Sequence, residues 1–111
     1  MPIANCLVRD IEVDPVLWEK ITTDLATLIK LSTDDITLNV SVNGMQFGKK
    51  YRVMVHLYLP TIWNALDIEM IENSLYKALQ TNLSTRPDEI FIMTSLIEPG
   101  HVVENGKIIW W

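Results

Sequence analysis

Few side chains in this sequence carry the chemistry on which most enzymes depend. The chain has two histidines, one cysteine and four glycines. The histidines and the cysteine are widely separated and lack the short spacing by which such residues hold a metal ion. Four glycines are too few for the loops that cradle phosphate groups, and no nucleophile elbow is present. The sequence therefore predicts no metal site and no cofactor.

Two of these side chains lie within apolar runs. His56 is able to carry protons near neutral pH, although a histidine in such a run is more often a hydrogen-bonded structural residue. Cys6 has no basic neighbour in sequence that would activate its thiol, so packing is its expected role, and the preceding Asn5 is able to bind a ligand. A single cysteine forms no internal disulfide, which favours a reducing cytoplasmic location.

The two halves of the chain repeat one pattern. Leu31–Ile36 is echoed, with two inserted residues, by Leu83–Ile90. In each half an amphipathic helical pattern precedes this segment and a strand-like run follows it. We therefore predict one domain of two tandem βαβ units, since 111 residues fit a single domain. The domain is residues 1–111, with repeat 1 at about 2–43, repeat 2 at about 51–97 and a C-terminal extension at 98–111.

Each repeat contains an amphipathic helix with a recognisable start. Asp14 is a predicted N-cap followed by Pro15 at the first helical position, and Asn64 or Asp67 caps the second helix. The apolar stripes contain Trp18, Ile21, Leu25, Leu28 and Ile29 in the first helix and Ile68, Ile71, Leu75, Leu79 and Leu83 in the second.

Strand-like runs flank the helices at residues 2–9, 36–42, 52–59 and 90–97. Helical crossovers join parallel strands with one handedness, so both helices should lie on one face of a four-stranded mixed sheet, an α+β fold. The strands are apolar on both sides, however, since Val53, Val55 and Leu57 alternate with Met54 and Tyr58. Two helices cover only one of these sets. The other set predicts an oligomer whose subunits pack sheet against sheet.

The charge distribution excludes two classes of partner. The formal net charge is −5 at pH 7 with nine Lys and Arg residues, and the one basic cluster is Lys49-Lys50-Tyr51-Arg52. A nucleic-acid footprint needs more clustered cations than this. No apolar run approaches the roughly 20 residues that span a bilayer, and the first residues lack the pattern of a secretory signal. We expect neither nucleic acid nor membrane as a partner.

The C-terminal extension has turn signals and a strongly apolar end. Pro99-Gly100 and Asn105-Gly106 precede the terminal Trp110 and Trp111. Two exposed terminal tryptophans would promote aggregation. We expect the extension to add a strand to a neighbouring subunit or to line a pocket between subunits.

Pro2, the strand that follows it and the two βαβ units together resemble the tautomerase superfamily. The opening Pro2-Ile3-Ala4 is similar to the start of 4-oxalocrotonate tautomerase, whereas the full length and the repeat are closer to macrophage migration inhibitory factor (MIF). Residues 98–106 also resemble a small uncharacterised bacterial family with a tautomerase-like fold. The resemblance covers the whole chain in architecture but only short stretches in residues.

The resemblance implies a homotrimer with Pro2 in a pocket between subunits, where it acts as general base or acid on a small carbonyl substrate. Removal of Met1 would expose the secondary amine of Pro2. An α-amino group titrates at about 7.7–8.0, and burial in an apolar site disfavours its protonated form. Such an amine is able to take a proton from the carbon next to a carbonyl and return it elsewhere.

The family also uses arginines to hold substrate carboxylates, a task that suits the forked guanidinium. Where 4-oxalocrotonate tautomerase carries such an arginine on its second strand, this sequence has Asn39, a departure that argues against a dicarboxylate substrate. Arg52 and Lys50, at the start of the third strand, are the expected substitutes, with a solvated strand end as the other interpretation. Phe91 and Trp110 are expected to form an apolar wall of the pocket.

Two hypotheses on function stay open at this point. The first is a cofactor-independent tautomerase or related isomerase that uses Pro2. The second is a non-catalytic oligomer, because the βαβ-βαβ order also fits a ferredoxin-like domain that binds ligands or proteins across its sheet. A dimer that retains Met1 would favour the second hypothesis.

Overall fold

The computed structural model describes residues 1–42 and 44–111, in which two βαβ units are followed by a short hairpin. Each strand of the two units begins and ends within one residue of its predicted bounds. The elements are β1 (Ile3–Val8), α1 (Pro15–Ile29), β2 (Thr37–Val42), β3 (Val53–Pro60), α2 (Ala65–Leu83), β4 (Ile90–Ile97), β5 (Val102–Glu104) and β6 (Lys107–Ile109).

The starts of both helices are fixed by side-chain caps. Asp14 Oδ1 accepts a hydrogen bond of 3.0 Å from the backbone N–H of Val16, and Pro15 is the first helical residue. In the second helix the cap is Asn64, whose Oδ1 accepts a 2.9 Å hydrogen bond from the N–H of Asp67. Each cap satisfies one of the N–H groups that a helix leaves without an internal partner.

The sheet has the strand order β2-β1-β3-β4. β1 is parallel to β2, β3 is parallel to β4, and the central pair β1 and β3 is antiparallel, so an approximate twofold axis between β1 and β3 relates the two units. In a ferredoxin-like split βαβ arrangement, a strand of the other unit lies between the two parallel strands of each unit. Here those strands are direct neighbours. The topology therefore excludes a ferredoxin-like fold.

Both helices pack on the same face of the sheet, as the crossover rule predicts. The buried core on this face contains Ala4, Cys6, Val8, Val53, Val55, Leu57, Leu59 and Ile90 from the strands and Trp18, Ile21, Leu25, Ile29, Ile71, Leu75 and Leu79 from the helices. Leu28 departs from the predicted stripe, since it is 40% exposed and lies in the shallow groove between α1 and α2.

The opposite face of the sheet has no helix over it in the described part of the chain. We call it the open face. Leu7 and Met93 on this face are 41% and 46% exposed. The strand register places its side chains in three rows, which are Thr37-Ile3-Tyr58-Ser95, Asn39-Asn5-His56-Met93 and Ser41-Leu7-Met54-Phe91.

The C-terminal extension forms its own antiparallel hairpin, in which β5 pairs with β6. Asn105 and Gly106 connect the strands with φ angles of 53° and 73°, the positive values that a type I′ turn requires. After β6 the chain returns to the end of β3, where Trp111 Nε1 donates a 3.1 Å hydrogen bond to Thr61 Oγ1. The extension therefore docks against its own subunit.

No helix in residues 1–42 and 44–111 combines the length and apolar character that a membrane crossing requires.

Candidate active site

A cleft of about 300 Å³ lies at the start of β1, and we call it the N-terminal cleft. It forms because β1 begins where its antiparallel neighbour β3 ends, which sets Ile3 beside Tyr58, while the hairpin closes the remaining side. The lining residues are Met1, Ile3, Tyr58, Leu59, Pro60, Ile62, Ile97, Val102, Glu104, Ile109 and Trp111. Glu104 is the only charged side chain among them.

Pro2 lies immediately beside this cleft. Its side chain is less than 2% exposed and, by alternation with Ile3, lies on the helix-covered face of the sheet. Its carbonyl accepts a 3.0 Å hydrogen bond from the N–H of Thr37, which holds it at the end of the β1–β2 ladder. Met1 lines the cleft and is joined to the Pro2 nitrogen by a peptide bond. Removal of Met1 would therefore leave a free Pro2 amine at the wall of the cleft.

The surroundings of the N-terminus disfavour a positive charge. Burial lowers the pKa of the Met1 amine below its ordinary value, and the carboxylates of Asp35 and Glu104 oppose this shift only in part. An amine in this place is thus more readily unprotonated than one in water.

A chain of hydrogen bonds leads from the cleft across the open face. The hydroxyl of Tyr58, a cleft residue, lies 3.2 Å from His56 Nδ1, and His56 Nε2 lies 2.7 Å from Ser95 Oγ. Which nitrogen carries the proton depends on the tautomer. The rings of His56 and Tyr58 also stack with their centroids 4.2 Å apart. Both nitrogens of the imidazole thus have partners, as the hydrogen-bonded interpretation of this histidine requires.

Asn39, expected at the substrate, lies in the middle of the open face. Its side-chain amide donates a 2.8 Å hydrogen bond to Asn5 Oδ1 on the neighbouring strand. Cys6 points the opposite way, into the core, where burial raises the pKa of its thiol to about 12. Its position fits a packing role.

Arg52 and Lys50 lie at the other end of the sheet from Pro2. Arg52 precedes β3 and accepts a 2.8 Å backbone hydrogen bond from Arg9, which follows β1. A strand of this length spans roughly 20 Å. The Arg52 guanidinium donates a 2.9 Å hydrogen bond to the carbonyl of Asp10 and lies 3.5 Å from a carboxylate oxygen of Glu89. Within one subunit the structure does not bring these cations to Pro2.

Phe91 and Trp110, the expected apolar wall, are also outside the N-terminal cleft. Phe91 lies on the open face near Arg52 and packs against Tyr51 with ring centroids 5.1 Å apart. Trp110 is 73% exposed, and its ring lies over Gly100. The aromatic residues that do line the cleft are Tyr58 and Trp111.

Sequence reasoning therefore missed Tyr58, Glu104 and Trp111. A partial signal existed for each. Tyr58 belongs to the set of strand residues that the helices were expected to leave uncovered, and the other two lie in the extension that was expected to line a pocket. No three His, Cys, Asp or Glu side chains in the described residues cluster so as to hold a metal ion.

No protein-family model and no curated protein sequence matches this chain. Solved structures match it over almost its whole length. A fused 4-OT asymmetric trimer has a TM-score of 0.79 at 12% identity, covering 96% of this chain and 94% of that chain. Malonate semialdehyde decarboxylase has a TM-score of 0.66 at 12% identity, covering 96% and 93%. Macrophage migration inhibitory factor of Toxoplasma gondii has 0.63 at 14% identity, covering 96% of each chain.

Two βαβ units joined through an antiparallel central pair, with both helices on one face, define an α+β protein of tandem-repeat type. This chain has the fold of the tautomerase superfamily, which confirms the resemblance seen in its sequence. Identities of 12 to 14% show the fold alone, so the chemistry has to be argued from the residues.

Proposed function

We propose that this protein is a cofactor-independent, tautomerase-like isomerase in which Pro2, after removal of Met1, acts as general base and then as general acid. The substrate is a small carbonyl compound in the N-terminal cleft. The observation that carries the proposal is the position of the Pro2 nitrogen, which is bonded directly to Met1, a residue that lines this apolar cleft.

The first step breaks the C–H bond next to the substrate carbonyl. The Pro2 nitrogen takes the proton, and the electron pair moves into an enolate. The Pro2 ammonium then returns the proton to oxygen or to another carbon, which completes the tautomerisation. Burial lowers the pKa of the Met1 amine, and the same apolar surroundings would favour an unprotonated Pro2 amine, as a base requires.

Tyr58 is the group best placed to steady the enolate oxygen. Tyr58 lines the cleft, and His56 Nδ1, 3.2 Å from its hydroxyl, is able to donate to that oxygen in one tautomer and leave the hydroxyl hydrogen for the substrate. A positioned hydrogen-bond donor stabilises negative charge that develops on oxygen in the transition state. The support from His56 holds the hydroxyl in place before the substrate arrives.

The proposal includes a homotrimer built through the open face. Exposed apolar side chains on this face favour contact with other copies of the chain, and the fused 4-OT match is a trimer. Native mass spectrometry tests this assembly. The expected mass is that of three chains, and Met93→Glu should yield the monomer because it places a charge in the contact. A wild-type monomer at micromolar concentration would contradict the assembly.

Arg52, Lys50, Asn39, Phe91 and Trp110 remain predicted substrate-binding residues. Because Arg52 and Lys50 lie at the far end of their own sheet, they contact substrate only if a neighbouring subunit places them at the cleft. Arg52 would also have to leave its contact with Glu89.

Deuterium exchange at the carbon next to a ketone tests the proton transfer directly. Proton NMR in D₂O follows this exchange on phenylacetone without an unstable enol. We expect the wild-type protein to accelerate it and Pro2→Ala to lose most of the acceleration. Arg9→Gln, a change at the opposite end of the sheet, is the control and should keep wild-type exchange. Undiminished exchange in Pro2→Ala would overturn the proposed role of Pro2.

A further inference from the structure

The charges around the N-terminal cleft bear on which carbonyl compound it accepts. We infer that the cleft takes an uncharged, apolar carbonyl compound of the arylalkyl ketone type and discriminates against the analogue that carries a carboxylate. The inference rests on the proposed function and names its substrate class.

The lining of the cleft contains no lysine or arginine side chain, although the chain has nine such residues. Its one charged side chain is the carboxylate of Glu104. Lys107 pairs with Glu104 across the hairpin but is exposed and does not line the cleft. A carboxylate in the cleft would therefore meet a like charge and no side-chain cation of its own subunit.

The hydrogen-bonding groups of the cleft also suit a single neutral oxygen. When His56 Nδ1 donates to the hydroxyl of Tyr58, a cleft residue, that hydroxyl keeps its own hydrogen for a ligand, whereas Trp111 Nε1 already donates to Thr61. Binding of a carboxylate without a cation needs several donors, because its two oxygens lose their water on entry. One hydroxyl matches one carbonyl oxygen.

The remaining surface is apolar and of suitable size. Ile3, Ile97 and Val102 are among its aliphatic walls, and the volume of about 300 Å³ is at the small end of ligand pockets. Burial of an aromatic ring against such walls is favourable in proportion to the area removed from water.

The experiment compares phenylacetone with phenylpyruvate, which has a carboxylate in place of the methyl group. Both are titrated into the Pro2→Ala protein, in which turnover is not expected, and the Trp111 indole N–H signal is followed by NMR. We expect phenylacetone to bind on the order of tenfold more tightly at low ionic strength. Repulsion between the phenylpyruvate carboxylate and Glu104 should weaken binding by about this factor near a protein surface. Glu104→Gln should reduce the ratio of the two dissociation constants by roughly threefold or more. Glu12→Gln is the matched control, because it makes the same change of net charge on an exposed residue outside the cleft lining.

Equal or tighter binding of phenylpyruvate would overturn the inference, as would failure of both compounds to bind. If Lys50→Gln then removed the binding of phenylpyruvate, a neighbouring subunit would be the source of the missing cation. The proposed function fails separately. In that case phenylacetone would bind with the expected preference, yet Pro2→Ala would leave its deuterium exchange unchanged.

Discussion

The two ends of the sheet occupy equivalent places in the repeat but differ in chemistry. Pro2 before β1 and Val53 at the start of β3 are both buried on the helix side of the sheet, so Arg52 lies next to the counterpart of Pro2 in the second repeat. The backbone N–H of Arg52 donates a 3.0 Å hydrogen bond to the carbonyl of Glu89 on the parallel strand. Proline has no such N–H. The nitrogen at the N-terminal end is thus free of the sheet ladder, whereas the nitrogen at the other end is held in it.

The side chains extend this difference. The end near Arg52 is basic, and its guanidinium is occupied by Asp10 and Glu89. The end near Pro2 is an apolar cleft with one carboxylate side chain, where burial lowers the pKa of the Met1 amine. The repeat therefore builds the two strand ends alike, and the residue types make the end near Pro2 the proposed proton-transfer site.

The largest expected effect is a loss of exchange activity when the Tyr58 hydroxyl, at the N-terminal end of the sheet, is removed. Tyr58→Phe removes the proposed donor to the enolate oxygen but keeps the ring that stacks on His56. Loss of such a donor lowers kcat by roughly 100-fold. Deuterium exchange of phenylacetone measures it.

Tyr51→Phe is the matched control for this prediction, because it removes a tyrosine hydroxyl from the end near Arg52. It should leave exchange at the wild-type rate. Equal loss in both variants would mean that the two ends do not differ as proposed.

A second prediction concerns the stability of the basic end. Glu89 contacts Arg52, and its Oε1 accepts a 2.8 Å hydrogen bond from the N–H of Arg86. Glu89→Ala removes both contacts and should lower the free energy of unfolding by about 1–2 kcal/mol, as measured in urea. The neighbouring Asp88→Ala removes only an exposed ion pair and should cost less than about 0.5 kcal/mol. Equal costs would refute the structural role of Glu89.

A third prediction uses a glycine at each end. Gly100 has a φ of 83°, and a Cβ there would lie 2.6 Å from the ring of Trp110. Gly100→Ala should therefore distort the hairpin that walls the cleft, costing about 1 kcal/mol or more and weakening phenylacetone binding several-fold. Gly44 at the other end has nothing within 4 Å of such a Cβ, so Gly44→Ala should leave binding unchanged. Unaltered binding of phenylacetone in Gly100→Ala would show that the hairpin does not shape the cleft.

The smallest effect is a pH dependence at the amine. Burial lowers the pKa of the Met1 amine, so protonation of this amine destabilises the native state. The contribution of the amine to the free energy of unfolding is therefore fully present above its ordinary pKa of 8.0 and is lost as the pH falls through the lowered value. Urea unfolding of the Met1-bearing chain should show this decline. An acetylated N-terminus should not show it, and identical pH profiles for the two chains would contradict the shift.

The sequence predicted the elements well because their signals are local. Asp14 followed by Pro15 marks a helix start, and alternation along a strand shows which residues face the helices. The cap of the second helix was ambiguous in the sequence, because Asn64 and Asp67 are both favourable N-cap residues. The backbone conformation makes Asn64 the cap.

The site was harder to predict because it depends on pairing between distant strands. Arg52 lies at the opposite end of the sheet from Pro2 because β1 and β3 are antiparallel. The sequence of either strand alone does not specify this pairing. The choice of Trp111 over Trp110 has a similar cause. Adjacent residues in an extended segment point to opposite sides, so the path of the hairpin decides which tryptophan enters the cleft.

The intact mass of the protein, purified without a tag at its N-terminus, is the most direct test of the central claim that Pro2 acts through a free amine. The proposal predicts a mass lower than that of the full sequence by one methionine residue. A mass that includes Met1 would contradict it, because the Pro2 nitrogen would then be an amide with no basic lone pair.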